Sequence, residues 1–234
     1  MNQKTIYQDG AYLENNPTWH EEDSPWKAGH IARLLARNGV TPQTVCEVGC
    51  GAGAVLASLQ DLLPPAVEFS GYEFSPQAFE RCAQRTRPCL RFLEEDLLAA
   101  DPALVFDVVM AIDVFEHVED CFGFLRRLRS RGTWKVFHIP LDLSAQAVLR
   151  NTPLVDVRRS VGHLHYFTKD SALATLRETG HEIVDVQYTC GALELPHGTW
   201  RTRLLRIPRR VLFSVQDDIA ARLLGGFSLM VLAR

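Results

Sequence analysis

Short apolar runs alternate with amphipathic stretches along most of the 234-residue chain. Runs that are apolar throughout are typical of strands buried on both faces of a parallel sheet. The longer stretches between them carry apolar residues at helical spacing, which indicates helices packed on that sheet. The pattern therefore predicts an α/β fold. The predicted strands cover residues 45–48, 66–73, 89–93, 106–112, 133–139, 181–188 and 227–232.

Two of the predicted helices have clear boundary residues. A leading helix is predicted over residues 26–38, where apolar side chains recur at helical spacing. A later helix over residues 169–178 has Thr168 as a candidate N-cap and Gly180 just after its end. These signals predict one helix ahead of the first strand and another just before the sixth.

A glycine-rich turn, residues 47–53, follows the first predicted strand and leads into a helix over residues 54–59. Glycine allows a backbone to approach a ligand with no Cβ between them, and the free N–H groups of the helix point into the same crevice. Strand, turn and helix together predict the nucleotide-binding entry of an open α/β sheet.

Glu47 indicates which kind of nucleotide suits this turn. Gly49, Gly51 and Ala54 fit the loose glycine pattern of dinucleotide sites. However, a carboxylate at the strand end would repel a pyrophosphate, and it would attract an ammonium or a sulfonium group. Glu47 therefore favours a positively charged ligand over a dinucleotide.

The segment Glu-Val-Gly-Cys-Gly-Ala-Gly at 47–53 resembles the first motif of the class I S-adenosylmethionine-dependent methyltransferases. S-adenosylmethionine carries an ammonium and a sulfonium group and no phosphate, and the resemblance implies it as the cofactor. The resemblance also implies a Rossmann-like, seven-stranded, mostly parallel sheet with helices on both faces. In that sheet the last strand is antiparallel and lies between the fifth and the sixth. At this turn the implied cofactor-binding residues are Glu47, Gly49, Cys50, Gly51 and Gly53.

Acidic residues also follow the second and third predicted strands. Glu73 lies about 20 residues past the glycine turn, where a carboxylate can accept hydrogen bonds from ribose hydroxyls, and Phe74 stands next to it. The family resemblance implies that Asp96 accepts a hydrogen bond from the adenine amino group and that Leu97 packs on the ring. Glu95 is the nearby alternative to Asp96. These residues extend the predicted cofactor site along the edge of the sheet.

The fourth predicted strand is followed by Asp113, Glu116 and His117. The carboxyl ends of parallel strands face the ligand crevice of such a sheet, so we expect these side chains at or near the site. The stretch resembles the Asp-x-x-Glu-His-Val element of small-molecule methyltransferases, including quinone O-methyltransferases, and we assign Asp113 to the cofactor. His117 is the first candidate general base, because the usual pKa of histidine lies near operating pH. The alternative is that His117 only fixes the loop.

His165 is the second candidate general base. It lies with His163 in an extended segment after the fifth strand, beside the expected sulfonium position. Asp113, Glu116, His117 and His165 also resemble the metal-binding set of the small-RNA 3′-terminal 2′-O-methyltransferases, with Asp113 in place of the usual glutamate. That set holds a divalent cation against ribose hydroxyls. We assign no metal ligand, and we keep a metal-dependent enzyme acting on RNA ends as an alternative.

We expect a single methyltransferase domain over residues 1–234. The aromatic side chains of the polar segment 1–27 suit either a lid over the crevice or a strap over the core. Residues 28–139 form the predicted cofactor-binding core. The extra segments 140–167 and 192–225, the second of them helical, are expected on the substrate side.

Composition and charge narrow the range of partners. A net charge of −3 provides no overall basic field to attract nucleic acid. Six cysteines without a C-x-x-C pair predict reduced thiols in a cytoplasmic protein, not a disulfide or zinc framework. The N-terminus lacks the pattern of a signal peptide, and no segment is apolar over the length of a membrane helix. We therefore expect a small-molecule partner and no membrane partner.

These features favour transfer of a methyl group to an oxygen or a nitrogen of a small molecule. A nicotinamide-dependent oxidoreductase is one alternative, which Glu47 and the lack of a Ser-Tyr-Lys catalytic set disfavour. A non-catalytic binding module on the same fold is another, because fold does not determine function. The identity of the methyl acceptor and the oligomeric state are not predicted.

Overall fold

A seven-stranded sheet organises the chain, in the strand order β3-β2-β1-β4-β5-β7-β6. The computed structural model describes residues 18, 19, 21–150, 152–195 and 206–234. Every predicted strand is present, and its ends lie within two residues of the expected ones. The strands are β1 (Thr44–Val48), β2 (Glu68–Tyr72), β3 (Leu90–Leu93), β4 (Phe106–Ile112), β5 (Gly132–Pro140), β6 (Ile183–Thr189) and β7 (Ser228–Ala233).

The first five strands are parallel and the last is not. β1 pairs with β2 and β4, β2 with β3, and β4 with β5, all in parallel. β7 lies between β5 and β6 and runs antiparallel to both. Parallel neighbours need a crossover connection, which the helices between these strands provide. The α/β fold and the position of its antiparallel last strand are therefore confirmed.

Helices connect the strands and cover the sheet. The leading helix begins two residues before its predicted start. The later helix carries a reciprocal capping box, in which the Thr168 hydroxyl accepts from the Ser171 N–H and the Ser171 hydroxyl accepts from the Thr168 N–H. In the described residues the α-helices are α1 (Ser24–Arg37), α2 (Ala54–Gln60), α3 (Pro76–Ala83), α4 (Cys121–Arg129), α5 (Ala145–Arg150), α6 (Thr152–Ser160), α7 (Lys169–Glu178), α8 (Gly191–Glu194), α9 (Arg206–Val215) and α10 (Asp217–Leu224). Short 3₁₀ turns cover Glu21–Asp23, Leu97–Ala99 and Phe115–His117.

Two apolar cores cover the two faces of the sheet. Val45 and Val108 pack in the core that includes α1 and α2, whereas their chain neighbours Cys46 and Val109 pack in the core that includes α4 and α7. Successive side chains of a strand point to opposite faces, so most positions of the central strands are apolar. This explains the unbroken apolar runs of the sequence and leaves the strand ends as the place for polar chemistry.

The extra segments lie partly outside the described residues. Tyr7, Tyr12 and His20 of the predicted lid or strap are outside them, as are residues 196–205 of the last insertion. The described parts of that insertion are the end of α8, and α9 and α10. Lys27 lies in the first turn of α1, so the boundary drawn after residue 27 falls inside a helix. Within the described parts of the chain, no helix has both the length and the apolar character needed to cross a membrane.

Candidate active site

The glycine turn adopts a conformation that other residues rarely take. Gly49, Gly51 and Gly53 have φ angles of +67°, +53° and +74°, which is the left-handed region where a Cβ is strained. The Gly49 N–H donates to the Tyr72 carbonyl at 2.8 Å, which ties the turn to the end of β2. A Cβ on Gly53 would come within 2.6 Å of the Phe92 ring, so the turn also packs closely against β3.

Glu73 fastens the glycine turn from the end of β2. Its Oε2 accepts from the Gly51 N–H at 2.9 Å and its Oε1 accepts from the Ser75 N–H at 2.8 Å. Burial raises the pKa of Glu73, while these backbone hydrogen bonds act in the opposite direction. Phe74, the next residue, is 49% exposed and stands free to contact a ligand. Each carboxylate oxygen has a second lone pair, so both backbone bonds are compatible with contacts to ribose hydroxyls.

Glu47 is a buried acid at the end of β1. Only 2% of the residue is exposed, and its Oε2 has no hydrogen-bond partner among the described residues. Burial raises the pKa of Glu47 well above its usual range, and the Lys27 ammonium opposes that shift. A buried carboxylate oxygen without a partner is costly, and a ligand ammonium would satisfy it. The site thus fits the positively charged ligand that the sequence predicts.

Asp96 and Leu97 lie after β3, as expected, but in unlike surroundings. Asp96 is exposed and its Oδ1 accepts from the Leu98 N–H at 2.9 Å, which caps the short 3₁₀ turn. Leu97 has no exposed surface and belongs to an apolar core. Its side chain therefore offers no surface to an adenine ring in this conformation. The assignment of Asp96 to the adenine amino group stays a prediction.

Asp113 lies at the centre of a polar network that joins four elements. Its backbone has a φ of +55°, a left-handed conformation that residues other than glycine seldom adopt. The Lys27 ammonium of α1 lies 2.8 Å from Asp113 Oδ2, and His138 Nδ1 of β5 lies 2.6 Å from Oδ1. His138 Nε2 in turn lies 2.9 Å from the Thr189 hydroxyl of β6. Burial alone would raise the pKa of Asp113, but His138 and Lys27 together hold it well below its usual range.

The sequence prediction missed Lys27 and His138. Both sit in segments that were assigned to apolar elements, and only the packing of α1 across the strand ends brings Lys27 to Asp113. A lysine in the first turn of an otherwise apolar helix face was the available signal for Lys27. For His138, the signal was a histidine near the carboxyl end of a buried strand.

α8 closes the same side of the site. The Trp26 indole N–H donates to Glu194 Oε2 at 2.8 Å, and His30 Nε2 lies 2.9 Å from the same oxygen. The Trp26 ring also meets His138 edge to face, with 6.2 Å between ring centroids. Because Glu194 belongs to α8, these contacts hold the start of α1 against the segment after β6.

A histidine cluster lies beside the 3₁₀ turn that follows β4. Glu116 is completely buried, and its carbonyl accepts from the N–H groups of Leu164 and His165 at 2.8 and 3.0 Å. These bonds dock the extended segment 163–168 onto the end of β4. His117 then meets His163 edge to face, with 4.7 Å between ring centroids.

His165, the second predicted base, points its ring at the same turn. Its Nε2–H donates to the Val118 carbonyl at 2.9 Å. A neutral imidazole that donates from Nε2 keeps its lone pair on Nδ1, which is then the nitrogen able to accept a proton. His117 and His165 thus both lie beside the end of β4, and their catalytic role stays a prediction.

The four residues of the metal set suggested by the RNA methyltransferase resemblance are not brought together. Asp113 is paired with Lys27 and His138, and the Nε2 of His165 is used by a carbonyl. Glu116, His117 and His163 form a group instead, with candidate ligand atoms within 4.8 Å of one another. The shift from His165 to His163 follows from the docking of the extended segment, which the sequence alone did not reveal.

The described part of the N-terminal segment lies against the glycine turn. A Cβ on Gly51 would have the Trp19 ring as its neighbour, at 3.8 Å. Glu21 pairs with Arg81 and Arg85 of the following crossover, and the Arg85 Nε–H donates to the Ala52 carbonyl at 2.9 Å. The segment therefore borders the crevice, as either a lid or a strap would.

Comparisons with known proteins agree with this architecture. Residues 46–131 match the family model described as a methyltransferase domain. Trans-aconitate 2-methyltransferase of Streptomyces coelicolor is 31% identical over 159 residues, which cover 61% of this chain and 52% of that protein. Ubiquinone biosynthesis O-methyltransferase of Rhodopseudomonas palustris is 26% identical over 129 residues, which cover 50% of this chain and 51% of that protein. The chain thus spans about half the length of the curated relatives it matches.

A solved structure shares the whole fold. The magnesium protoporphyrin IX methyltransferase of Synechocystis PCC 6803 with bound SAH superposes with a TM-score of 0.65 at 15% identity and covers 99% of both chains. At that identity the likeness concerns the fold alone. Together with the sheet order, it confirms the Rossmann-like, seven-stranded fold that the sequence predicts. Residues 46–131 of this fold are the part that is similar to a methyltransferase domain.

Proposed function

We propose that this chain is an S-adenosylmethionine-dependent methyltransferase that acts on an oxygen or a nitrogen of a small molecule. The observation that carries the proposal is the buried Glu47 carboxylate ahead of a left-handed glycine turn. This acid favours a ligand with positive charge and no phosphate. The matched methyltransferase family model supports the same conclusion.

Each part of the cofactor has a candidate partner in the site. Glu47 would accept from the ammonium group, and the open turn at Gly49 and Gly51 would let the backbone approach the amino-acid part. Glu73 would accept from the ribose hydroxyls, beside the exposed Phe74 ring. The remaining cofactor assignments are Cys50 and Gly53 in the turn, Asp96 after β3, and Asp113 after β4.

Methyl transfer requires little covalent chemistry from the chain. When bound, S-adenosylmethionine supplies an electrophilic methyl group. The chain holds the acceptor atom close and in line with that group, which accounts for much of the rate of such a reaction. A histidine at the end of β4 takes the acceptor proton. His165, whose Nδ1 keeps a lone pair, and His117 are the candidates.

The acceptor is proposed to be a small molecule. Two relatives are named for trans-aconitate and for ubiquinone biosynthesis, and an oxygen acceptor fits both names. A net charge of −3 provides no basic field for RNA. The six cysteines are free thiols, which supports a reducing, cytoplasmic setting.

Two other functions make different forecasts. A nicotinamide-dependent oxidoreductase would place a pyrophosphate near Glu47, against the charge of that acid. A non-catalytic module would use the same cofactor residues without turnover. A direct test is to incubate the protein with S-adenosylmethionine labelled at the methyl group and a fractionated metabolite extract. We expect label in a small-molecule fraction. Binding of the cofactor without any transfer would favour the non-catalytic module.

A further inference from the structure

Glu116 has a chemical environment that the cofactor site does not explain. The residue has no exposed surface, and neither of its carboxylate oxygens has a hydrogen-bond partner among the described residues. A buried carboxylate without a partner costs several kcal/mol and is found where another group compensates for it. Lys27, whose charge also acts on Glu116, is committed to Asp113 at 2.8 Å. A further positive group beside Glu116 would offset the cost of its burial.

Two histidines stand next to this carboxylate. His117 Nε2 lies 3.9 Å from Glu116 Oε1, and the His117 and His163 rings meet with 4.7 Å between centroids. One candidate ligand atom from each of the three residues falls within 4.8 Å of the others. These ligand atoms are farther apart than those around a bound metal ion, and small side-chain rotations would bring them to coordinating distance.

His163 is held by a second carboxylate. Asp142, just after β5, lies with its Oδ2 2.6 Å from His163 Nδ1. With Nδ1 donating to Asp142, Nε2 is left to coordinate. A carboxylate that orients a histidine in this way is the usual outer partner of a metal-binding imidazole. Asp142 is thus a positioning residue rather than a ligand.

We propose that Glu116, His117 and His163 bind one divalent transition-metal ion of the Zn²⁺ or Co²⁺ kind, with Asp142 orienting His163. Two imidazole nitrogens and one carboxylate suit such ions, whereas Mg²⁺ prefers an all-oxygen set. Three protein ligands also leave a coordination position open, as in catalytic rather than structural centres.

The open position would lie beside the methyl-transfer site, and this part of the inference rests on the proposed function. Asp113 and Glu116 are three residues apart in the turn that follows β4, at the carboxyl end of that strand. An acceptor oxygen bound to the ion would lose its proton more readily. His117 would then act as a ligand, which leaves His165 as the candidate base.

Metal binding can be measured without cofactor or acceptor. The full chain is stripped with a chelator, dialysed, and titrated with Co²⁺ while visible absorption and calorimetry are recorded. We expect one Co²⁺ per chain, displaced by Zn²⁺ and not by Mg²⁺. Glu116→Gln and His163→Gln should each abolish stoichiometric binding, and Asp142→Asn should weaken it by about 10–100-fold.

Two control variants separate this site from the set that the sequence resemblance suggested. Asp113→Asn and His165→Gln should each weaken Co²⁺ binding less than Asp142→Asn does, since neither residue is a proposed ligand. Circular dichroism and thermal melts identify variants that fail to fold. If Glu116→Gln or His163→Gln does not fold, two other measurements test the proposal. Asp142→Asn should bind Co²⁺ more weakly than the wild type, and Zn²⁺ should raise the melting temperature of the wild-type protein.

Three results would overturn the proposal. The wild-type protein could bind no stoichiometric Co²⁺ and gain no thermal stability from Zn²⁺. Folded Glu116→Gln and His163→Gln could bind like the wild type. Asp113→Asn and His165→Gln could abolish binding while His163→Gln keeps it. None of these results bears on cofactor binding, which is measured separately, so failure here and failure of the proposed function are distinguishable.

Discussion

At the scale of single residues, the site gathers more negative than positive charge. Glu47, Asp113 and Glu116 are buried or half-buried at the ends of β1 and β4, and Lys27 pairs with only one of them. Glu47 and Glu116 retain carboxylate oxygens with no partner among the described residues. Arrangements of this kind lower stability and are typical of functional sites, where a ligand supplies the missing charge.

Removing Lys27 tests how strongly it compensates for Asp113. Lys27→Met leaves the aspartate with His138 as its partner, so the free energy of unfolding should fall by about 1.5–3 kcal/mol, the range for hydrogen bonds to charged groups. Denaturant titration measures the change. Arg37→Met is the matched control, because it removes the exposed pair with Asp185 and should cost less than about 1 kcal/mol. Equal losses would mean that the Lys27 pair is as weak as a surface one.

His181 predicts a specific acid sensitivity. Burial lowers the pKa of His181 to about 4, although its Nε2–H donates to the Leu125 carbonyl. The pKa of an unfolded histidine is about 6.5, so between these values the unfolded chain binds a proton that the folded chain does not. The free energy of unfolding should therefore fall by about 3 kcal/mol as the pH drops from about 6.5 to 4.

Denaturation curves at several pH values check this dependence. Between about pH 6.5 and 4, the free energy of unfolding of His181→Gln should fall by about 3 kcal/mol less than that of the wild type. This difference does not depend on the overall stability of the variant. A wild type and a variant with the same slope would assign the acid sensitivity to other groups.

Glu73 should act on the cofactor in two ways. Glu73→Ala removes the acceptor for ribose hydroxyls and also the bonds to the Gly51 and Ser75 N–H groups. Calorimetry should show S-adenosylmethionine binding weaker by about 1.5–3 kcal/mol. Glu73→Gln keeps an amide oxygen for one of the N–H groups and should lie between wild type and alanine. If a ligand without ribose hydroxyls loses as much affinity, Glu73 acts through the turn alone.

At the scale of elements, the strands and the glycine turn could be predicted because their signals are local. Unbroken apolar runs give the strands, and alternate glycines with an acid give the turn. The docking of the extended segment 163–168 could not be predicted, since it depends on the carbonyl of Glu116 far along the chain. That contact places His163 rather than His165 next to His117. The burial of Leu97 could not be predicted either, because it depends on how the core packs and not on the local sequence.

The glycine turn itself gives a matched pair of variants. Gly51→Ala meets only the Trp19 ring at 3.8 Å, so its cost should be the strain of a positive φ, about 1–2 kcal/mol of stability. Gly53→Ala adds overlaps with Phe92 at 2.6 Å and Cys82 at 2.8 Å and should be clearly less stable. Gly51→Ala should fold and bind S-adenosylmethionine poorly. Normal binding by a folded Gly51→Ala would place the cofactor elsewhere.

At the scale of the whole molecule, the site joins two halves of the sheet. β1 to β4 supply the residues that the sequence assigned to the cofactor. Four further side chains come from elements outside that half, and the sequence prediction does not include them: Lys27 of α1, His138 of β5, Thr189 of β6 and Glu194 of α8. These side chains meet because α1 packs at the strand ends and β7 joins β6 to β5 in one sheet. The positions of the glycine turn and of the acids on β1 to β4 were therefore predictable from sequence, and the side chains that α1, α8, β5 and β6 bring to them were not.

The central claim is that this crevice binds S-adenosylmethionine, and side-by-side calorimetry with S-adenosylmethionine and NAD tests it most directly. We predict micromolar binding of S-adenosylmethionine and its demethylated product, with no measurable binding of NAD. Glu47→Gln should weaken the binding of S-adenosylmethionine, because the side chain that faces the ammonium group then carries no charge. Tighter binding of NAD than of S-adenosylmethionine by the wild-type protein would contradict the account.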